Sequence, residues 1–440
     1  MRRVCLTLPT HRACPGTIAA IGEEAAYGAR QFGVEVHLLI LDSSPAPVLA
    51  EHRKAVAALP ASPGVAVHHL DEDEQRAFLR EVADRSAGAA ADRLLELMLP
   101  SRVSYGACTN RAFLIAQALG CTSVHRRDSD SRYQHLDGEP VYPLHQELSY
   151  LGQRAHDVRQ STTRSKLAPG SGDRRVAMTG GSFVGEMSVD VAEIRDLDPD
   201  TYRELVGLSL PEGYPEIWRG HLIDESFRGA GTTSFDGDRT TLAPISPMRV
   251  DMCNIGLDHE VYRRVPLPPA TDTIGSDYFL LHLVHDAKLP GVQHNRHIVN
   301  FHTQERRTDA GFLAYQVRFV KFLLAKTYLN AVFARTAAAG DALLDAEGHI
   351  QASVVAGFVR DSVGLDRVDA ARRLDVIDRA YRRLGGRYST VADALTDHRS
   401  RLLDEARDDM ADFALLMDHW EALAGASADS GLGQVRAVNR

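Results

Sequence analysis

The chain is short of cysteine. Its 440 residues hold 5, namely Cys5, Cys14, Cys108, Cys121 and Cys253, scattered, odd in number and without Cys-x-x-Cys spacing. That pattern excludes a disulfide framework and a thiolate zinc site, and leaves the cysteines as small buried hydrophobes. No uninterrupted apolar run reaches the roughly 18–20 residues of a membrane helix. The opening Met1-Arg2-Arg3-Val4-Cys5-Leu6-Thr7-Leu8-Pro9 has a basic pair, but its apolar stretch falls short of the ~7–15 residues of a signal-peptide core. It reads as a first strand, and a cytoplasmic location is expected. Net positive charge is missing too: the formal charge is -9, the opposite of the basic footprint of a nucleic-acid binder. Acidic substrates must then be met by local arginines and a metal. There is no internal repeat.

What is present fits a soluble globular protein. Hydrophobic residues make up 44% and charged residues 25%, ordinary values for a chain with a full core. The length suggests roughly two to three domains. Arginine greatly outnumbers lysine, as in high-GC bacterial coding, which carries no functional weight.

Apolar runs at 4–8, 34–41, 65–69 and 121–126 predict strands, separated by helical patterns at 15–32, 47–59, 71–97 and 108–119. Strands alternating with helix-length connections argue for an α/β fold with a mostly parallel sheet flanked by helices. Residues 136–175 read as a long loop, 176–185 as a strand, 190–208 as helix and 211–248 as a loop-rich insert. Further strands are expected at 250–257 and 292–301, around a helix at 275–289. From residue 310 on the pattern is helical only. Phe312, Leu313, Val317, Phe319, Val320, Leu323, Leu324 and Leu329 form an apolar stripe that points to core or to a homodimer interface. The expected division is 1–305 for the α/β domain, 306–424 for an all-α extension and 425–440 for a disordered tail.

Chemistry concentrates at Arg127-Asp128-Ser129-Asp130. Two carboxylates two positions apart at a strand's carboxyl end leave room for Mg²⁺ or Mn²⁺, whose other positions phosphate and water can fill. Alone, Asp-x-Asp also fits a solvated turn; the order of segments around it gives it weight. Asp42 lies at another strand end, so it and the Asp pair can face one crevice. Gly180-Gly181 marks a close backbone approach or a tight turn.

That order resembles a GT-A glycosyltransferase, close to the large bacterial family 2-like inverting group that uses nucleotide-diphosphate sugars. Leu8-Pro9-Thr10-His11-Arg12 resembles that family's Pro-Thr-x-Asn-Arg turn, and Leu41-Asp42-Ser43-Ser44 its Asp-x-x-Ser turn, whose Asp contacts base or ribose. Gly106-Ala107-Cys108-Thr109-Asn110, a helix and Asp128-Ser129-Asp130 resemble its Ala-Arg-Asn helix and Asp-x-Asp. Ile274-Gly275-Ser276-Asp277-Tyr278 is similar to the segment that supplies the catalytic base, and Val299-Asn300-Phe301-His302 to the strand whose His completes the metal site. The resemblance covers about the first 305 residues. Thr109 stands where Arg is usual, so Arg111 or Arg127 would supply that phosphate contact, and Ser276 replaces a Glu.

The resemblance thus implies a metal-dependent, inverting hexosyltransferase-like enzyme using Mn²⁺ or Mg²⁺. Its metal ligands would be Asp128, Asp130 and His302, and its base Asp277. Donor contacts would come from Pro9, Thr10, Arg12, Asp42, Asn110, Arg127 and Asp128. The partners would be a nucleotide-diphosphate sugar and a small-molecule or secondary-metabolite acceptor. Asp224-Glu225 is the rival base, on an insert that could close over the crevice with Trp218. Competing readings are a nucleotidyltransferase of the same fold, and a catalytically degenerate GT-A module that only binds.

Overall fold

The computed structural model describes residues 1–211, 215–302 and 307–431. Near-continuous apolar runs form the first three strands: β1 (Arg3–Thr10), β2 (Glu35–Asp42) and β3 (Val65–Leu70), as expected of strands covered on both faces. Helices join them. α1 (Pro15–Phe32) begins with Pro at its first position, where no N–H is missed, and ends at Gly33, whose φ of 61° lets its N–H cap the Ala29 carbonyl. α2 (Ala46–Ala57) leads into β3, and α3 (Glu72–Ser86) opens on a reciprocal Asp71/Glu74 capping box. α4 (Ala91–Met98) and α5 (Tyr105–Ala118) then lead to β4 (Ser123–Arg126).

The chain next lays down β5 (Arg132–Tyr133), β6 (His135–Leu136), β7 (Glu139–Pro140), α6 (Leu144–Tyr150), α7 (Ala155–Val158) and β8 (Arg164–Ser165). After these come β9 (Met178–Gly180), β10 (Phe183–Gly185), α8 (Ala192–Leu197), α9 (Pro199–Gly207), α10 (Glu216–Glu225) and β11 (Thr240–Pro244). β12 (Ile255–Asp258), α11 (His259–Tyr262), α12 (Phe279–Asp286), β13 (Pro290–His294) and β14 (Ile298–Asn300) complete the sheet region. The rest is helical: α13 (Asp309–Ala339), α14 (Ala352–Val363), α15 (Arg367–Leu384), α16 (Arg387–Asp397) and α17 (Arg399–Ser430).

Among the described residues, nine strands form the main sheet in the order β3-β2-β1-β4-β12-β9-β13-β11-β8. β12 runs antiparallel to both neighbours, and β11 to β13; the other pairs are parallel. The order therefore reverses between β1 and β4, with Thr7 opposite Arg126 and Thr10 opposite Asp42. A second, smaller sheet has the order β10-β14-β5. The α/β architecture with a mostly parallel sheet and a helical C-terminal region is as expected.

One face of the sheet is closed by α1 and α6, which bury Ile18, Ile21, Leu144 and Leu148 against Val4, Leu6 and Leu8. The other face carries α3 and α5, and the C-terminal helices continue the same core, from Phe113 and Tyr262 to Phe319 and Trp420. Trp420 donates its indole N–H to the Tyr262 carbonyl at 2.8 Å, and Ser427 its hydroxyl to Leu114 at 2.5 Å. The stripe on α13 is thus core, with Phe319, Val320, Leu323 and Leu324 at 0% exposure. Among the described residues no helix is long and apolar enough to cross a membrane.

Several segments differ from expectation. The 136–175 loop contains α6, held by Leu144 and Leu148 at i, i+4; a side chain on Gly28 would meet Leu144 at 2.6 Å. The 176–185 and 292–301 strands each break into two, serving different sheets. The 250–257 strand starts only at Ile255, because Asp251–Asn254 close a turn, with Asn254 N–H donating to the Asp251 carbonyl. The insert holds α10 and β11, so it is no continuous loop; residues 212–214 of it lie outside the described residues. Helix α17 runs through 425–430 of the expected tail, and 432–440 lie outside the described residues.

One glycine fixes the approach of the loop that ends in Asp277. A Cβ on Gly106 would stand 1.9 Å from the Pro268 carbonyl oxygen, and the Gly106 N–H donates to Ser276 Oγ at 3.3 Å. Gly→Ala inside a helix normally gains about 1 kcal/mol. Gly106→Ala is instead expected to cost about 1–3 kcal/mol, because backbone must move to admit the methyl group. Urea unfolding measures this, and a variant as stable as the parent would contradict the packing described.

Candidate functional site

A cavity of about 1080 Å³ opens at the carboxyl ends of β1 and β4, where the strand order reverses and open α/β sheets take their ligands. Pro9, Thr10 and Arg12 line it from the end of β1, Arg126, Asp128 and Asp130 from the end of β4, and Asp277 from the turn before α12. Of the site residues expected from the sequence, the fold gathers Pro9, Thr10, Arg12, Arg111, Asp128, Asp130, Glu225 and Asp277 at the cavity. The β4 turn is held from inside: Asp128 N–H bonds to Ser131 Oγ at 3.2 Å, and the Thr17 hydroxyl of α1 donates to the Ser129 carbonyl at 3.0 Å.

Charge here is dense and balanced by arginine. Arg12 Nη1 donates to Asp130 Oδ2 at 3.2 Å. Arg126 sits between two carboxylates, donating from Nη1 to Asp277 Oδ2 at 2.6 Å. Its Nη2 lies 2.9 Å from Asp128 Oδ1, at ion-pair distance but without hydrogen-bond alignment. Asp251 joins from the loop before β12; it accepts the Tyr278 hydroxyl and, at 3.0 Å, the Cys253 N–H. Burial pushes the Asp128 carboxyl up to about 6; Asp130, Asp277 and Asp251 add to the rise and Arg126 opposes it. Its side chain still keeps 28% of its surface open. Such a cluster of like charges facing a cavity favours the arrival of a cation.

The two neighbouring arginines part company. Successive side chains of a strand point to opposite faces, so Arg126 reaches the cavity while Arg127 enters the core. Arg127 bonds to Glu24 at 3.0 and 2.8 Å, to Glu147 at 3.1 and 3.1 Å, and to the Arg126 carbonyl at 2.8 Å. It is no phosphate clamp. Arg111 does line the cavity, with Nε and Nη1 already on Gln75 and the Met98 carbonyl.

Other expected contacts fall away for physical reasons. Asp42 does not line the cavity, whereas Ser43 does. The Asp42 carboxylate is buried and accepts from His52 Nδ1 at 2.7 Å, His69 Nε2 at 2.9 Å and the Ser44 N–H at 3.0 Å. Burial alone would raise its pKa, but those bonds hold it well below the usual carboxylate range. Asn110 is consumed by Leu267, donating to its carbonyl and accepting from its N–H, each at 2.8 Å. His302 turns to the Met187 carbonyl at 2.9 Å and bonds Glu186 through its backbone N–H. Among the described residues no three His, Cys, Asp or Glu side chains are arranged to hold a metal, so His302 does not join Asp128 and Asp130 as a third ligand. Side chains on Gly180 and Gly181 would meet Val250 at 2.5 Å and Asn254 at 2.6 Å; the pair admits protein packing, with no ligand needed to explain it. Of the rival bases, Glu225 lines the cavity, paired with Arg249 at 3.0 Å, while Asp224 does not. Trp218 on α10 is 62% exposed.

Sequence reasoning missed Asp251, Tyr278, Lys326 and Asn330, all of which line the cavity. Asp251 falls inside the strand expected at 250–257, where the structure has a turn. Lys326 and Asn330 break the apolar stripe of α13 by single helical turns, and that interruption was the available signal.

A family model described as a family of unknown function, DUF6271, matches residues 2–436, running through both the sheet and the C-terminal helices. A solved structure described as a mycobacterial protein is similar at 16% identity and a TM-score of 0.35, covering 74% of each chain. No curated protein matches.

Proposed function

We propose, for a chain that belongs to the DUF6271 family and whose family description assigns no activity, that the cavity transfers a sugar from a nucleotide-diphosphate donor to a small-molecule acceptor. The observation that carries this reading is the position of Asp128 and Asp130, at the reversal between β1 and β4, facing a cavity with Arg12 and Arg126 beside them. The same reversal supports a GT-A-type nucleotide-binding half, since nucleotides bind at such switch points.

Mn²⁺ or Mg²⁺ would be held by Asp128 and Asp130, because these ions need only one or two protein carboxylates when phosphate and water complete the shell. When bound, it stabilises the negative charge that develops on the departing diphosphate. Arg12 lies close enough to neutralise diphosphate oxygens by charge-assisted hydrogen bonds. Asp277 is the base: it takes the proton of the acceptor hydroxyl as that oxygen bonds to the anomeric carbon. The carbon–oxygen bond to phosphate breaks, and its electron pair leaves with the diphosphate. Arg126 positions Asp277 through Oδ2, and Asp277 Oδ1 makes no hydrogen bond among the described residues.

A thermal-shift panel of nucleoside diphosphates and nucleotide sugars, with and without Mn²⁺, tests this. Ligand binding to the folded state raises the melting temperature by linkage, by about 2.7 kcal/mol of stability at a hundredfold excess over Kd. One nucleobase class is expected to shift the protein only with metal. No metal-dependent shift by any nucleotide would remove the reading.

A further inference from the structure

The cavity continues past Asp277 into a groove between α12 and α13. Gly275, two residues before Asp277, lies against the Phe322 ring, which a Cβ there would meet at 2.9 Å. Beyond that ring Lys326 holds its ammonium 5.2 Å from the centroids of both Phe322 and Phe333. His282 of α12 stacks on Phe333 at 3.9 Å. The walls are therefore aromatic.

Two polar groups in this lobe lack complements. Lys326 forms no ion pair among the described residues, and Arg373, the charged side chain that bears on it, shares its sign. Burial, followed by Arg373, lowers its ammonium to about 8, so it stays mostly protonated at neutral pH. Asn330, one turn along the same face of α13, is only 9% exposed, and its Nδ2 has no hydrogen-bond partner. Side chains four apart on a helix are neighbours. A half-buried cation without an anion and a buried N–H without an acceptor, neighbours on one helix face, are complementary to one carboxylate.

We propose that this lobe binds the acceptor as a carboxylic acid with an apolar, aromatic body, its carboxylate on Lys326 Nζ and Asn330 Nδ2 and its ring among Phe322, Phe333 and His282. The word acceptor rests on the glycosyl-transfer reading; the binding of the acid does not. The donor's charge belongs at Arg12 and the Asp pair, on the other side of Asp277.

The test is calorimetric titration at pH 7, without nucleotide or metal, of 4-hydroxyphenylacetate, 3-(4-hydroxyphenyl)propionate and 4-hydroxycinnamate beside their primary amides. At least one acid is expected to bind roughly 10-fold or more tightly than its amide, the usual weight of a charged hydrogen bond. Lys326→Met keeps the stem over the rings and is expected to abolish that preference, Lys326→Arg to keep it, and Asn330→Leu to weaken the acid several-fold. Equal binding of acids and amides by the parent, no binding of either, or a preference that survives Lys326→Met would overturn the proposal. Lys326→Met should retain the metal-dependent nucleotide shift. A parent that shows the nucleotide shift but binds no acid therefore condemns this inference alone, and a parent that binds the acid without any nucleotide shift condemns the transfer reading alone.

Discussion

Arg127→Met is expected to lower the unfolding free energy by about 3–5 kcal/mol, the cost of removing one partner from a buried ion network. Arg127 is 1% exposed, and five hydrogen bonds occupy its guanidinium. Its removal strands Glu24 and Glu147, both at 0% exposure, which Tyr133, the Leu144 N–H and His125 satisfy only in part. Lysine would not restore the network, since it has three donors and no planar fork. The same network makes a pH prediction. Burial pushes Glu147 up, but Arg127 and His125 outweigh it and hold its carboxyl at about 2, against an ordinary 4.5. A depressed carboxylate contributes stability above the unfolded value and loses it as pH falls toward the folded one. The parent should therefore lose stability between pH 4.5 and about 2, and Glu147→Gln should flatten that slope while lowering stability at pH 7. Urea unfolding across this range is the measurement. A cost within 1 kcal/mol of zero for Arg127→Met would mean that the network relaxes.

Asp277→Asn is expected to reduce turnover by roughly 10²–10⁴-fold, the usual share of a general base, with nucleotide binding unchanged. The asparagine oxygen can still accept from Arg126, so the geometry around Arg126 survives and only the proton acceptor is lost. Glu225→Gln is the control, since Glu225 faces the same cavity from α10. Steady-state release of nucleoside diphosphate from the preferred nucleotide sugar reads both. Normal turnover in Asp277→Asn with an inactive Glu225→Gln would move the base to α10.

The alternation of apolar runs and amphipathic helices up to β4 was legible because each element is local and its pattern is strong. Past β4 legibility declines, since short strands such as β9, β10, β13 and β14 derive their pairing from distant partners and carry only three to five residues each. In the site, Asp128, Asp130, Arg12 and Asp277 could be picked out because strand and helix ends project into the crevice. Asp42 misled for the opposite reason: its partners His52 and His69 stand ten and twenty-seven residues away, and no local pattern announces them. Arg126 and Arg127 were separable in principle, because strand parity alone sends them to opposite faces. Lys326 and Asn330 were hidden in a helix whose apolar stripe invited attention to its majority.

The central claim is a metal-assisted diphosphate site at Asp128 and Asp130. Its most direct test is calorimetric titration of the preferred nucleoside diphosphate into the parent and into the Asp128→Asn/Asp130→Asn double variant, each with and without Mn²⁺. These side chains lie at a cavity mouth and keep their size, so circular dichroism should show an intact fold. The account predicts that Mn²⁺ tightens binding by the parent and leaves the double variant unaffected. A double variant that binds the nucleotide as tightly as the parent in Mn²⁺ would contradict it.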